Sequence, residues 1–171
     1  KSIIGKMGIL LALIVVCIFL AIVTKGQFVT FNNLMNILRQ TPIVALMAVG
    51  MLCVILLGGI DLSAGSMLAF SSCCAGVLMQ KFGLNNSFVL IVVCLLVGIL
   101  CGAFNGILLT KLHLPHPFIA TLGMKNVLRG LALLITGATA VAGFPAGVTF
   151  TGTATVGVIP FSFILVIVVY I

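Results

Sequence analysis

The sequence predicts an all-α fold, a polytopic transmembrane helical bundle of about six spans or partial spans with a short interfacial amphipathic helix. Three observations predict it. The 171 residues are 63% hydrophobic and only 5% charged, where a soluble domain carries roughly 25% charged residues. Mean hydropathy is +1.50. The polar residues gather in short breaks between apolar runs, most of which approach the roughly 17 to 25 residues that a bilayer core demands of a helix. Residues 1–171 therefore read as a single transmembrane domain in contact with membrane lipid.

The formal net charge is +7, from eight Lys and Arg against one acid. These cations fall singly between apolar segments and make no basic stripe or aromatic-interleaved patch, so nucleic acid is not an expected partner. They serve better as loop and interface anchors. Lys1 and Lys6 precede the first apolar run in the manner of a signal-peptide n-region, but no Ala-x-Ala-like cleavage site follows and further spans do, which argues for a retained helix. The six cysteines, at 17, 53, 73, 74, 94 and 101, all lie inside apolar segments. No Cys-x-x-Cys occurs and no His stands at metal-site spacing, so they read as packing residues rather than a disulfide framework or a metal centre.

Span one covers about Met7 to Val23 and is almost wholly aliphatic, as suits a lipid-facing helix. From Thr30 to Gln40, Phe31, Leu34, Met35 and Leu38 fall at helical spacing with the asparagines, Arg39 and Gln40 mostly opposite. With Thr30 as N-cap this predicts the short amphipathic helix, lying in the membrane interface. Span two is expected from Pro42, a favoured first helical residue, to about Leu57, and span three from about Ala64 to Met79. Span three is rich in Gly, Ala, Ser and Cys. Small residues permit close backbone approach in lipid, so this helix is expected inside the bundle. Span four, about Ser87 to Thr110, repeats glycine every fourth residue at Gly98, Gly102 and Gly106, a stripe expected to pack helices.

After a Pro-containing loop with His113 and His116, span five runs to about Thr136 and places Thr121, Lys125 and Arg129 at i, i+4 and i+8. Two cations face lipid only at high cost, so this stripe belongs against protein, a watery cavity, or an interface reached by snorkelling. Lys125 and Arg129 read as anchors of a helix end or loop. Residues 137–155 are uncharged and rich in Gly, Ala and Thr around Phe144-Pro145, which predicts an irregular loop or re-entrant segment. A sixth apolar run extends from near Val156 to Ile171, with Pro160 at its entrance, and has the look of an unfinished span. With the N-terminus inside, the inner flanks hold Lys1, Lys6 and Lys111 and the outer ones Lys25, Arg39 and Lys81, so the positive-inside count is a tie.

Asp61, the one acidic side chain, sits in the break Gly58-Gly59-Ile60-Asp61-Leu62-Ser63-Ala64-Gly65-Ser66 between spans two and three. A carboxylate near hydrocarbon costs about 2.5 to 3.5 kcal/mol even on a lenient insertion scale, so its placement implies a role. Three roles stand open. Asp61 or Ser63 caps span three, where the positive helix end favours an anion. Gly58-Gly59 breaks the helix so that an exposed helix end lines a path. Or Asp61 is itself a cation or proton site, the least favoured role because no second acid exists to complete a relay or cage. No catalytic residue emerges: Ser63 has no nearby His base, and no phosphate-binding Gly-x-x-x-x-Gly-Lys-Ser/Thr occurs.

Several motifs in order, Phe31-Asn32-Asn33-Leu34-Met35-Asn36-Ile37-Leu38-Arg39-Gln40, Met47-Ala48-Val49-Gly50-Met51, Gly59-Ile60-Asp61-Leu62-Ser63-Ala64-Gly65-Ser66, Asn105-Gly106, Pro117-Phe118-Ile119-Ala120-Thr121-Leu122-Gly123 and Arg129-Gly130-Leu131, closely resemble the membrane permease subunit of bacterial monosaccharide ABC importers of the ribose, xylose, arabinose and allose type. The resemblance covers about Phe28 to Thr136. It implies an inner-membrane permease with its N-terminus in the cytoplasm, paired with a second permease copy, two cytoplasmic ABC ATPases that bind ATP and Mg, and an external sugar-binding protein toward which residues 137–155 would face. Family members continue through further helices and a cytoplasmic Gly-Gly-Asn-like segment that docks the ATPase. Because this chain stops before any such segment, Ile171 is expected to mark the edge of a fragment truncated at its C-terminal end.

On this resemblance the chain is a transport subunit and not an enzyme. Neutral polyhydroxylated cargo calls for small hydrogen-bonding residues and no fixed charge pair, consistent with Ser66, Ser71, Ser72, Asn105 and Thr121 on bundle-facing positions. Asp61, Ser63, Ser66, Asn105 and Thr121 are the expected transport-path or gating residues, with Asp61 and Ser63 as hinge and cap. Two other classes compete: an ion-coupled secondary carrier or channel, and a truncated fragment that does not transport.

Overall fold

The structure, a computed structural model, describes residues 3–111, 117–157 and 159–170. Seven helices and one two-residue-per-strand hairpin are present among them: α1 (Ile3–Val23), α2 (Phe31–Leu56), α3 (Ala64–Phe82), α4 (Ser87–Lys111), α5 (Pro117–Thr136), α6 (Ala146–Thr153), the strands β1 (Thr155–Val156) and β2 (Ile159–Pro160), and α7 (Phe161–Tyr170). Three of the helices, α2, α4 and α5 from Phe118 on, are long and apolar enough to cross a membrane. Many of their Leu, Ile, Val and Phe side chains are exposed, as expected of surfaces whose solvent is lipid. The all-α, multi-pass architecture is the one the composition demands.

The chain forms two compact units, residues 1–42 with 155–171, and residues 43–154. In the first, Thr24 donates its hydroxyl to Leu20 O and accepts from Phe28 N, closing α1 into a short 3-10 turn at Gln27–Val29. Gly26 takes a left-handed φ of 85° there, a conformation open to glycine at little cost. Thr30 then accepts from Asn33 N through its hydroxyl, the N-cap that the sequence suggests for the next helix.

That helix differs from expectation in extent. Residues 31–40 are not a separate amphipathic helix, and Pro42 is not the first residue of span two. Both belong to the uninterrupted α2, with Pro42 inside it. A proline within a helix forfeits one backbone bond. Membrane helices tolerate this through neighbouring groups and local adjustment; the carbonyl that Pro42 leaves without its donor is that of Leu38, and the adjacent Ile37 O accepts from the Thr41 hydroxyl at 2.8 Å.

In the second unit α3 is the central element, packed on α4 and on α5. Its small residues make this approach possible: Ser66, Ser71, Ala75, Gly76 and Met79 are its buried positions. Gly76 is the tightest. A Cβ there would overlap Val141 Cγ1 and lie 3.2 Å from the Phe144 ring. Two clusters form the core, one around Ala75, Met79 and Leu90, the other around Cys101, Met124 and Leu128. The cysteines are free; Cys101 is buried, Cys17, Cys73, Cys74 and Cys94 are half-buried, and Cys53 is exposed, so plain buried packing does not describe all six.

Helix direction follows from the ties at each end. Lys81 Nζ donates to Ile135 O where α3 and α5 both finish, and Thr121 near the start of α5 bonds Ile60 just before α3, so α3 and α5 run parallel. α4 runs antiparallel to α3, Asn105 near its end meeting Ser63 at the start of α3. Gly83, at φ 67°, terminates α3 by donating to Leu78 O, and Asn86 Oδ1 caps α4 by accepting from Phe88 N and Val89 N.

Residues 137–155, expected as irregular, have no helix or strand up to Pro145, but then form α6, which packs on α4. Its closest approach is at Gly147, where a Cβ would sit 2.7 Å from Ser87 Cβ. The last apolar run opens with the β1–β2 hairpin before α7. The loop holding His113 and His116 lies outside the described residues.

Candidate functional site

The site is built on the connector between α2 and α3. Helix α2 ends because Gly58 turns left-handed, φ 77°, with Gly59 N bonded back to Val54 O. The next residues cannot continue a ladder, so their polar groups find other partners. Asp61 Oδ1 accepts from Ser63 N at 2.7 Å and from Ser63 Oγ at 2.6 Å. The carboxylate thus fixes the N-cap residue of α3 rather than the first free N–H groups inside the helix; Ser63 itself makes no side-chain cap bond.

Ser63 is fully buried and its hydroxyl joins two helices. While its O–H donates to Asp61, its oxygen accepts from Asn105 Nδ2 on α4 at 2.8 Å. The chain Asn105 to Ser63 to Asp61 is charge-assisted at its acceptor end. On the other side Thr121 Oγ1 of α5, also buried, lies 3.1 Å from Ile60 O and 3.2 Å from Phe118 O. Asp61, Ser63, Asn105 and Thr121 therefore meet at one junction, where α3, α4 and α5 converge on the connector. The Ile60 carbonyl is a member that sequence reasoning misses, because no residue pattern announces a backbone acceptor.

A cavity of about 520 Å³ opens beside the junction, lined by Gly59, Asp61, Gly102, Asn105, Gly106 and Thr121 among others. The glycine stripe behaves unevenly here. A Cβ on Gly98 would sit 3.7 Å from Ser71 Oγ of α3, whereas one on Gly102 or Gly106 meets nothing within 4 Å. Those two glycines line the cavity, and among the described residues only Gly98 of the stripe has a neighbouring helix within van der Waals reach of an added Cβ.

Ser66 is separate from the junction. Buried on the next turn of α3, it lines a second cavity of about 740 Å³ that Lys125 and Arg129 also line, from α5. The cation stripe thus opens on a cavity between α3 and α5, one of the surroundings expected of it. Among the described residues neither cation makes a hydrogen bond to a helix end, whereas Lys81 donates to Ile135 O at the end of α5.

Comparison with known proteins gives the family of the chain. A family model described as the branched-chain amino acid transport system / permease component matches residues 33–171. The ribose import permease protein of Escherichia coli is 40% identical over 146 residues, covering 84% of this chain and 43% of that protein. The D-allose transport system permease protein of Escherichia coli is 34% identical over 164 residues, 95% of this chain and 50% of the relative. An autoinducer 2 import system permease protein of Yersinia pseudotuberculosis is 36% identical over 140 residues, 80% and 38% respectively. The chain spans half or less of the length of these curated relatives. No solved structure matches it significantly. With four-fifths of its length matched in order, the chain belongs to the branched-chain amino acid transport system / permease component family of multi-pass membrane transport proteins.

Proposed function

We propose that this chain is part of the transmembrane permease subunit of an ATP-driven importer that carries a monosaccharide such as ribose across the bacterial inner membrane. The similarity to the ribose and D-allose permeases, extending through the Gly-Ile-Asp-Leu-Ser connector, is the observation that carries the reading. ATP and Mg belong to cytoplasmic ABC ATPase partners; a second permease copy completes the path and an external sugar-binding protein delivers the cargo. The N-terminus lies in the cytoplasm.

In this reading the junction of Asp61, Ser63, Asn105 and Thr121 is a hinge. Alternating access requires helices to move against one another without exposing orphaned polar groups to hydrocarbon. A short connector pinned by four side-chain hydrogen bonds offers two discrete arrangements, bonded and released. The adjoining cavity sets a few hydrogen-bonding groups, Asp61, Asn105, Thr110 and Thr121, in a largely apolar wall that includes Val54, Leu57, Met67 and Leu109, a lining that can orient a small neutral cargo.

The test is uptake of labelled ribose, allose and other pentoses and hexoses by a permease-deficient strain given the full-length gene with its ATPase and binding-protein partners. Uptake of a sugar that vanadate abolishes and an uncoupler spares supports the proposal. Uptake that survives vanadate and collapses with the uncoupler points to an ion-coupled carrier. Uptake of autoinducer 2 alone reassigns the cargo while keeping the transporter class.

A further inference from the structure

Lys125 and Arg129 stand one helical turn apart on α5 and both line the 740 Å³ cavity. Ser66 and Cys73 of α3 form part of the facing wall, and Thr136 and Thr139 lie toward the end where α5 finishes. Like charges at i and i+4 repel, and in a membrane-spanning helix each also carries a desolvation cost. The sequence holds one acidic side chain, Asp61, which lines the other cavity and is engaged with Ser63. No acidic side chain of these 171 residues is left to neutralise the pair.

A neutral sugar gives such a pair no counter-charge. We propose that this cavity binds a phosphate-bearing group, held jointly by Lys125 and Arg129 with Ser66 donating from the opposite helix. Side chains at i and i+4 have Cβ atoms about 5–6 Å apart, so both cations reach one tetrahedral anion. The guanidinium supplies a planar fork of donors and the ammonium a point charge. Ser66 is buried, and its hydroxyl makes no hydrogen bond to another described residue, which leaves it to donate. Three donor groups from two helices match the three free oxygens of a phosphate ester better than the two of a carboxylate. The volume exceeds that of a bare ion and accommodates an organic substituent.

The same chemistry is offered by an anionic lipid headgroup or by a soluble phosphate monoester, and this site does not depend on the identity of the imported cargo. Full-length permease, purified and delipidated, is titrated in separate arms with nanodisc-borne phosphatidylglycerol and with glycerol 3-phosphate, binding being read by native mass spectrometry and calorimetry. At least one probe binds, with affinity lowered about ten-fold or more in Lys125→Gln and in Arg129→Gln, lost in the double variant and kept in Lys125→Arg. Binding of the lipid alone identifies a headgroup site, and binding of glycerol 3-phosphate a soluble one. Failure of both probes, undiminished binding in the double variant, or equal affinity for the carboxylate probe gluconate overturns the proposal. Should the double variant misfold by circular dichroism, the unmodified protein decides: probe affinity must fall steeply with added salt, and salt-independent binding overturns it equally. Because binding is read without transport, failure here leaves the importer reading standing, and failure of uptake leaves this one standing.

Discussion

Asn105 reaches from α4 to the buried hydroxyl of Ser63 at 2.8 Å, and that hydroxyl passes its own proton toward Asp61 at 2.6 Å. Two residues 42 apart in the chain thereby lock the start of one helix against the end of another. Asn105→Leu should cost about 1–3 kcal/mol, because the buried Ser63 oxygen loses a donor. Thermal unfolding of the full-length permease in detergent checks this, and an unchanged midpoint would show that the bond contributes nothing.

Asp61 is held by geometry that an amide oxygen can also satisfy. Asp61→Asn is therefore expected to preserve expression and assembly while impairing uptake, since the amide is a weaker acceptor than the carboxylate for two short bonds. Asp61→Ala, which strands both Ser63 donors, should lower stability as well, by about 1–3 kcal/mol. Sugar uptake normalised to membrane-inserted protein separates the two effects; wild-type uptake in Asp61→Asn would reduce the residue to a replaceable cap.

Thr121 offers a cleaner measure of how α5 is tied to the connector. Thr121→Val keeps the shape and removes the hydroxyl near Ile60 O and Phe118 O, and should cost about 0.5–1.5 kcal/mol. Thr121→Ser restores the bond. Stability that follows volume and ignores the hydroxyl would contradict the assignment.

The glycines should divide by location. Gly76→Ala drives a methyl into Val141 between α3 and the segment before α6, and overpacking of this kind costs about 1–3 kcal/mol. Gly106→Ala meets open space and should be neutral or stabilising through helix propensity worth about 0.8–1.0 kcal/mol. Paired unfolding measurements on the two variants check the contrast, and equal effects would show that the close approach at Gly76 is absent.

Much of the fold was legible because a bilayer imposes a length and a polarity that composition reveals directly. The central place of α3 could be read from its Gly, Ala, Ser and Cys content, since only small side chains let two neighbours approach one helix. The run through Pro42 was not legible. Proline statistics favour a helix start there, and the residue pattern does not separate that from a proline inside a membrane helix, which is what α2 is. The eight residues of α6 escaped for a related reason: Gly, Ala and Thr carry weak helix propensity, and packing on α4 overrides it.

Sequence alone determined that this chain lives in a membrane, that its helices break at Gly58-Gly59, and that one carboxylate and two mid-helix cations demand partners, for these follow from transfer energies that any fold must obey. Tertiary structure alone decided who those partners are. It brought Asn105 to Ser63 and Thr121 to Ile60, and it turned Ser66 away from Asp61 toward Lys125 and Arg129. Helices are internally satisfied units whose rotation about their own axes is set by packing against neighbours, so the face a polar residue presents is a property of the bundle.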